Sequence, residues 1–321
     1  MGPVTQVRDP RWVLGGVGAL LFLLFPLVAS DPYYLHLTIL FFLWVTLGAS
    51  WNLLGGYAGQ VSFGHAAFFG VGAYTSSLLF VRVGIDPWLG LPGAGVAAAL
   101  LGVPMGLVCF RLRGPFFALS MLALSEFLRL VALNWRSLTE GAVGILPPPL
   151  FEGKLPYYYI ALGLAVLTLA VVAAVITSRG GFSLVAIRED EDAAEALGVD
   201  TMRGKLLALL LSAFFTGMGG SFYANYMLYI DPAIVFSIVD VSIAMILVAV
   251  LGGMGTLFGP VVGAFAIVAL SELFRGLLAG ANLIVYGILI VLVILFMPEG
   301  VVGALGKARA RRPAAALARA E

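Results

Sequence analysis

GGFSLVAIREDEDAAEALGVDTMRGK, residues 180–205, is the long polar interval of a chain whose other stretches are mostly apolar. It holds six carboxylates, Glu189, Asp190, Glu191, Asp192, Glu195 and Asp200. Apolar runs flank it on both sides, so it reads as a segment that protrudes from a membrane to meet another protein. Acidic residues lead, and Ala193, Ala194, Ala196 and Leu197 follow. Acids near a helix N-terminus complement its dipole, and Gly198 suits a helix stop. The pattern predicts a short helix over about 190–197 with a small apolar face.

Outward from this interval the composition names the solvent. The 321 residues are 61% hydrophobic and 11% charged, against roughly 25% charged in soluble domains. The mean hydropathy is +1.06. In hydrocarbon every backbone polar group needs an internal partner. The near-continuous apolar runs select helices over an alternating barrel pattern. The predicted class is all-α and polytopic, with about ten transmembrane helices at 13–30, 35–54, 61–81, 88–110, 115–134, 157–177, 206–229, 237–254, 260–279 and 282–297. The first run follows Arg8 and Arg11 like a signal peptide, but it contains Pro26 and is longer than a usual hydrophobic core of such a leader. It is read as a span. Ten crossings with the N-terminus inside leave thirteen of the 18 Lys and Arg residues on inner segments. The positive-inside rule then places both termini and the 180–205 loop in the cytoplasm. The transmembrane domain runs over 1–306, and a basic cytoplasmic tail follows at 307–321. The main outer loop is 135–156, where Pro147, Pro148 and Pro149 disfavour helix.

Polar and glycine-rich motifs interrupt the apolar background. In GYAGQVSFGHAAFFGVGAY (56–74), Gly59 and Gly64 permit close helix approach. Gln60, Ser62 and His65 are polar at membrane depth and must face protein or a wet path. They either glue helices together or line a passage. In GGMGTLFGP (252–260), Gly255 and Gly259 repeat at every fourth position with Gly263, a small-residue packing face. ALSEFLR at 123–129 recurs as ALSELFR at 269–275, and GGYAGQVSFG at 55–64 loosely matches GGMGTLFG at 252–259, hinting at duplication. Each ALSE copy carries an acid and an arginine three apart, Glu126 with Arg129 and Glu272 with Arg275, spaced to pair on one helix face toward the outer side.

Several classes are excluded or weakened. No Gly-Lys pair is followed by Ser or Thr, so there is no P-loop. Two histidines and one cysteine, far apart, offer no metal site and no internal disulfide. No nucleophile elbow is present, and no nucleic-acid partner is expected. The chain is therefore expected to be no enzyme and to carry no cofactor. Charges lie mostly at span ends, which disfavours an ion-coupled secondary transporter.

The three motifs together, GYAGQVSFGHAAFFGVGAY, AIREDEDAAEALGVD and GGMGTLFGP, resemble the permease subunits of bacterial ABC importers for branched-chain amino acids. The resemblance covers about residues 35–300. It implies a site in the bacterial inner membrane and a path shared with a second, homologous permease. It further implies two ATP-binding subunits that supply the ATP chemistry, and an external solute-binding protein that sets most of the specificity. Urea or a short amide is the alternative cargo. In such permeases the loop carries a coupling helix, which here corresponds to Asp190, Glu191, Asp192, Ala193, Ala194, Glu195, Ala196 and Gly198.

Overall fold

A computed structural model describes residues 22–26 and 31–275. The predicted spans at 13–30 and 282–297, and the basic tail, lie largely or wholly outside these residues. Among the described residues the long elements are all helical. They are α1 Pro32–Asn52 with a π-helical extension Leu53–Tyr57, α2 His65–Leu78 with a π turn to Val83, and α3 Pro87–Cys109. Then come α4 Pro115–Asn134, the short α5 Arg136–Thr139, α6 Lys154–Ile176, α7 Arg179–Glu189 and α8 Glu191–Ala196. The chain continues through α9 Thr201–Met227, α10 Pro232–Val235, a π-helical segment Ile238–Ile243, α11 Ala244–Gly252 and α12 Gly259–Arg275. Seven of the resulting helices are long and apolar enough to cross a membrane, and α12 is a shorter apolar helix. Eight predicted spans thus have a helical counterpart.

Three helices begin with the same device. Asp31, Asp86 and Asp231 accept the backbone N–H groups of Tyr33, Trp88 and Ile234 at 2.8, 2.9 and 2.9 Å. A proline at the first helical position follows each. The aspartate satisfies an orphan donor, and proline has no N–H to satisfy. α4 and α12 both open on Gly-Pro, at Gly114-Pro115 and Gly259-Pro260. Asp-Pro, Gly-Pro and ALSE therefore recur in one order over 86–129 and 231–275. In this register the counterpart of the 252–259 turn is the turn before Pro115, not 55–64. The segments 55–64 and 252–259 touch one another, at Gly56 and Gly255.

The core sits around α1, α2 and α9. Gly72 lies against the Gly217 backbone, and Gly220 against the Phe69 carbonyl, so α2 and α9 pack at backbone distance. Substituting either glycine would drive a Cβ into main chain. α3, α4 and α6 bury much less of their surface, and α4 buries the least, 22% of its apolar window. Leu100, Phe116, Leu119, Phe127 and Leu167 stand outward as a lipid or subunit surface. At one end of the bundle the 135–156 segment is pinned down. Arg82 donates to the carbonyls of Ser137 and Leu138 at 2.8 and 3.0 Å, and Ile145 forms a two-way bridge with Ile230. Pro147 to Pro149 are in neither helix nor strand.

Candidate functional site

The opposite end of the bundle carries 180–205. The sequence places one helix there and the structure has two. α7 was not foreseen, because Gly180-Gly181 and the charges mask its buried Leu184 and Ile187. Asp190 is extended (φ −158°, ψ 111°), and its carboxylate accepts the Ala193 N–H at 3.0 Å. It thereby ends α7 and caps α8. Gly198 has φ 84°, its N–H donates to the Glu195 carbonyl, and the following Val199 N–H returns to the Ala194 carbonyl at 3.0 Å. A left-handed turn of this kind favours glycine. The predicted helix and its stop are both present.

The acidic residues point to a different use from the one the sequence suggested. Glu191 pairs with the buried Lys205 of α9 at 2.5 Å, and that ammonium lies over the Phe110 ring. Asp192 pairs with Arg113, in the turn between α3 and α4, at 2.7 Å. The Asp192 carboxylate holds the Arg113 guanidinium above its ordinary pKa. Glu195 accepts the Thr201 hydroxyl at 2.5 Å, Glu189 pairs with Arg188, and Asp200 caps α9 through the Arg203 N–H. All six carboxylates are thus engaged within the chain, and Glu191, Asp192 and Glu195 bolt α8 to α9 and to the α3–α4 turn. Ala194, predicted to belong to a face for a partner, is 2% exposed and faces its own domain. The outward surface consists of Ala193, Ala196, Gly198 and Leu197, which is 85% exposed, with Phe182 and Val185 of α7 nearby in sequence.

Arg188 connects this element to both glycine motifs. Its Nη1 donates to the Gly56 carbonyl at 3.2 Å. A Cβ placed on Gly59 would stand 2.7 Å from Arg188 Cγ, and one on Gly255 would stand 2.7 Å from Arg188 Nη1. Both glycines have positive φ, 70° and 69°, a region side chains avoid. Asn52 ties the two turns together. Its Nδ2 donates to the Thr256 carbonyl and its Oδ1 accepts the Gly255 N–H, each at 2.9 Å. The loop after α1, the loop before α12 and the end of α7 form one hydrogen-bonded junction. Gly259 also serves close approach, since its backbone abuts Gly252. Asn52 and Arg188 were missed by sequence reasoning. An asparagine in an otherwise apolar run was the available signal.

The remaining motif residues Ser62, Gly64 and His65 are enclosed by protein. Ser62 is buried, with its carbonyl accepting Trp51 Nε1 at 2.8 Å and its hydroxyl accepting the Gly64 N–H. A Cβ on Gly64 would meet Met121 of α4 at 2.8 Å. His65 is fully buried, with Nε2 at 2.7 Å from the Ser212 hydroxyl, which donates to the Ser50 carbonyl. That serine has one hydrogen, already given, so His65 Nε2 is the donor. Gln60 lies at the rim, half-buried. At the other end Glu126 and Arg129 form the predicted pair, with three hydrogen bonds of 2.5 to 3.0 Å. Glu272, its counterpart in the second copy, accepts the Tyr33 hydroxyl of α1. The Arg275 side chain lies outside the described residues. Among those residues no group of His, Cys, Asp or Glu is arranged to hold a metal.

Comparison with known proteins agrees with this architecture. Residues 33–296 match the family described as the permease component of branched-chain amino acid transport systems. The high-affinity branched-chain amino acid permease protein LivM of Escherichia coli is 32% identical, over 80% of this chain and 67% of that protein. LivH of the same organism is 27% identical, over 81% and 93%. The guanosine ABC transporter permease NupQ of Bacillus subtilis is 26% identical over 52% of this chain and 59% of its own length. No solved structure matches. The apolar helices and these relatives make this a multi-pass inner-membrane protein, and the chain belongs to the permease-component family of branched-chain amino acid transport systems.

Proposed function

We propose that this chain is one of two homologous permeases in an importer for branched-chain amino acids, driven by two ATP-binding subunits and supplied by a solute-binding protein. The chain itself performs no chemistry in this reading. The eight described membrane helices, joined by spans at 13–30 and 282–297, make ten crossings with both termini cytoplasmic. The 180–205 end is then the cytoplasmic end, and α8 is the element that seats on an ATP-binding subunit.

The observation that carries the reading is the junction at Arg188. A short helix that presents Ala193, Ala196 and Leu197 outward is bolted to α9, and the preceding α7 carries in its last turn an arginine set between two loops that adjoin membrane helices. Displacement of such a helix by a partner moves α1, α9 and α12 together. In reconstituted vesicles, leucine uptake should require ATP inside and loaded binding protein outside. It should survive an uncoupler and stop on ATP depletion. Uptake that instead collapses with the proton gradient sinks the proposal in favour of ion coupling.

A further inference from the structure

At the end of the bundle that carries the 135–156 segment, a small cavity lies between three helices. Pro87 and Trp88 open α3, Tyr157 stands in the first turn of α6, and Asn225 in the last turn of α9. Together with Leu150 and Phe222 they line it. The space open to the centre of a water molecule there is about 20 Å³. About 10–15 Å³ admits one water, so the cavity takes a single small molecule and is far too small for an amino acid. Aromatic rings close it in: Trp88 meets Phe151 with ring centroids 5.5 Å apart, and Phe151 meets Tyr157 at 5.3 Å.

Two of the lining residues bring polar groups with unused bonding capacity. Asn225 is 5% exposed. Its Nδ2 donates to the Ser76 hydroxyl of α2 at 3.1 Å and to the Ser221 carbonyl at 2.8 Å, which spends both amide hydrogens. A carbonyl oxygen only accepts, so the atom facing Ser221 is the nitrogen, and Oδ1 is fixed on the other side. Oδ1 is buried and accepts from no group among the described residues. A buried acceptor without a donor is destabilising. Tyr157 is buried as well. Its hydroxyl accepts the Leu150 N–H at 3.3 Å, and among the described residues its own hydrogen goes to no acceptor.

From an acceptor that lacks a donor and a donor that lacks an acceptor on the walls of one water-sized cavity, we infer a built-in site for a single water molecule. The water accepts from the Tyr157 hydroxyl and donates to Asn225 Oδ1. Every bond then runs in one direction: Leu150 N–H to Tyr157, Tyr157 to water, water to Asn225, and Asn225 to Ser76. Hydrogen bonds aligned in this way polarise and strengthen one another. The water thereby ties the 135–156 segment to α2 and α9 through α6. An ammonium ion of the same size would lack a counter-charge, because none of the lining residues is acidic.

The test is a density map of the unaltered full-length protein in lipid, at a resolution that shows ordered water. It should contain a peak at roughly 2.7–3.0 Å from both Asn225 Oδ1 and the Tyr157 hydroxyl oxygen. An empty cavity, or a Tyr157 hydroxyl bonded straight to Asn225, overturns the site. So does a peak that appears only in ammonium buffer. Melting temperatures of the same protein supply a second measurement. Tyr157→Phe keeps the ring and should lower the melting temperature by about 2–4 °C, the scale of a lost hydrogen bond. Asn225→Leu removes the acceptor and expels the water. In the Asn225→Leu background, Tyr157→Phe should cost clearly less than it does alone. Equal shifts in both backgrounds show that the two residues share no ligand, which overturns the site as well. Should the leucine variant not fold, the density map decides alone.

Discussion

Lys205 and Glu191 differ in what each loses if the other is removed. The lysine side chain is 3% exposed and the glutamate 19%. Glu191→Gln removes the charge that neutralises a buried ammonium and leaves it an amide oxygen and the Phe110 ring. Lys205→Met leaves a carboxylate near the surface that water can reach, and fills the space with an apolar chain. Breaking a buried pair from one side costs roughly 3–5 kcal/mol, whereas apolar replacement costs far less. Glu191→Gln should therefore lower the melting temperature of the purified protein distinctly more than Lys205→Met. Equal shifts would show that the site is wetter than its burial implies. Arg188 is a different case, because its guanidinium is part-exposed and its removal leaves the Gly56 carbonyl within reach of water. Arg188→Ala should cost less than about 1 kcal/mol of stability. It should nevertheless lower leucine uptake per ATP hydrolysed, since the loops around Gly59 and Gly255 lose their common contact. An unchanged ratio of uptake to hydrolysis would remove Arg188 from the coupling route.

At the scale of the element, α8 shows what periodicity misses. Its acids and alanines mark a helix with a defined start and stop, and both are where the pattern puts them. Six residues are too few to reveal which alanine faces inward. That is decided by Lys205, Arg113 and Thr201, which are remote or across a turn, and their two ion pairs and one hydrogen bond draw the acidic face onto the domain. Ala194 is buried as a result, and Leu197 is not. Ala194→Arg should thus fail by unseating α8 from its own chain, visible as lower stability of the isolated permease. Leu197→Arg should leave that stability within about 0.5 kcal/mol, as surface changes do. It should abolish binding of the ATP-binding subunit, read by co-purification. Retained binding in Leu197→Arg would place the docking surface elsewhere, with Phe182 the next residue to examine. The glycine motifs divide in the same manner. Their small residues announce close approach, but only the fold shows that Gly59 and Gly255 approach the same arginine.

For the whole molecule, hydropathy was sufficient to mark the helices and insufficient to rank them. Span boundaries moved where a cap overrode hydropathy: Asp200 starts α9 at Thr201, and the turn through Ser62 and Gly64 delays α2 to His65. Burial separates the central α1 and α9 from the peripheral α3, α4 and α6, a distinction invisible in uniformly apolar sequence. The half-exposed Glu126–Arg129 pair on α4 then bears on assembly. A charge facing lipid at a helix centre costs roughly 2.5–3.5 kcal/mol, so this face of α4 is expected to be covered by the second permease or by water. The proposed orientation rests on the distribution of Lys and Arg between the two sides. Val143 is 76% exposed in the 135–156 segment, and Asp192 is exposed at the other end of the bundle. Asp192→Cys should react with a membrane-impermeant maleimide only after the cells are opened, and Val143→Cys in intact spheroplasts. Cys109 is buried and gives little background. Labelling of both positions from one side would break the ten-span arrangement. Labelling with the sides reversed would keep the number of crossings, put the 180–205 end outside, and leave α8 with no ATP-binding subunit to meet.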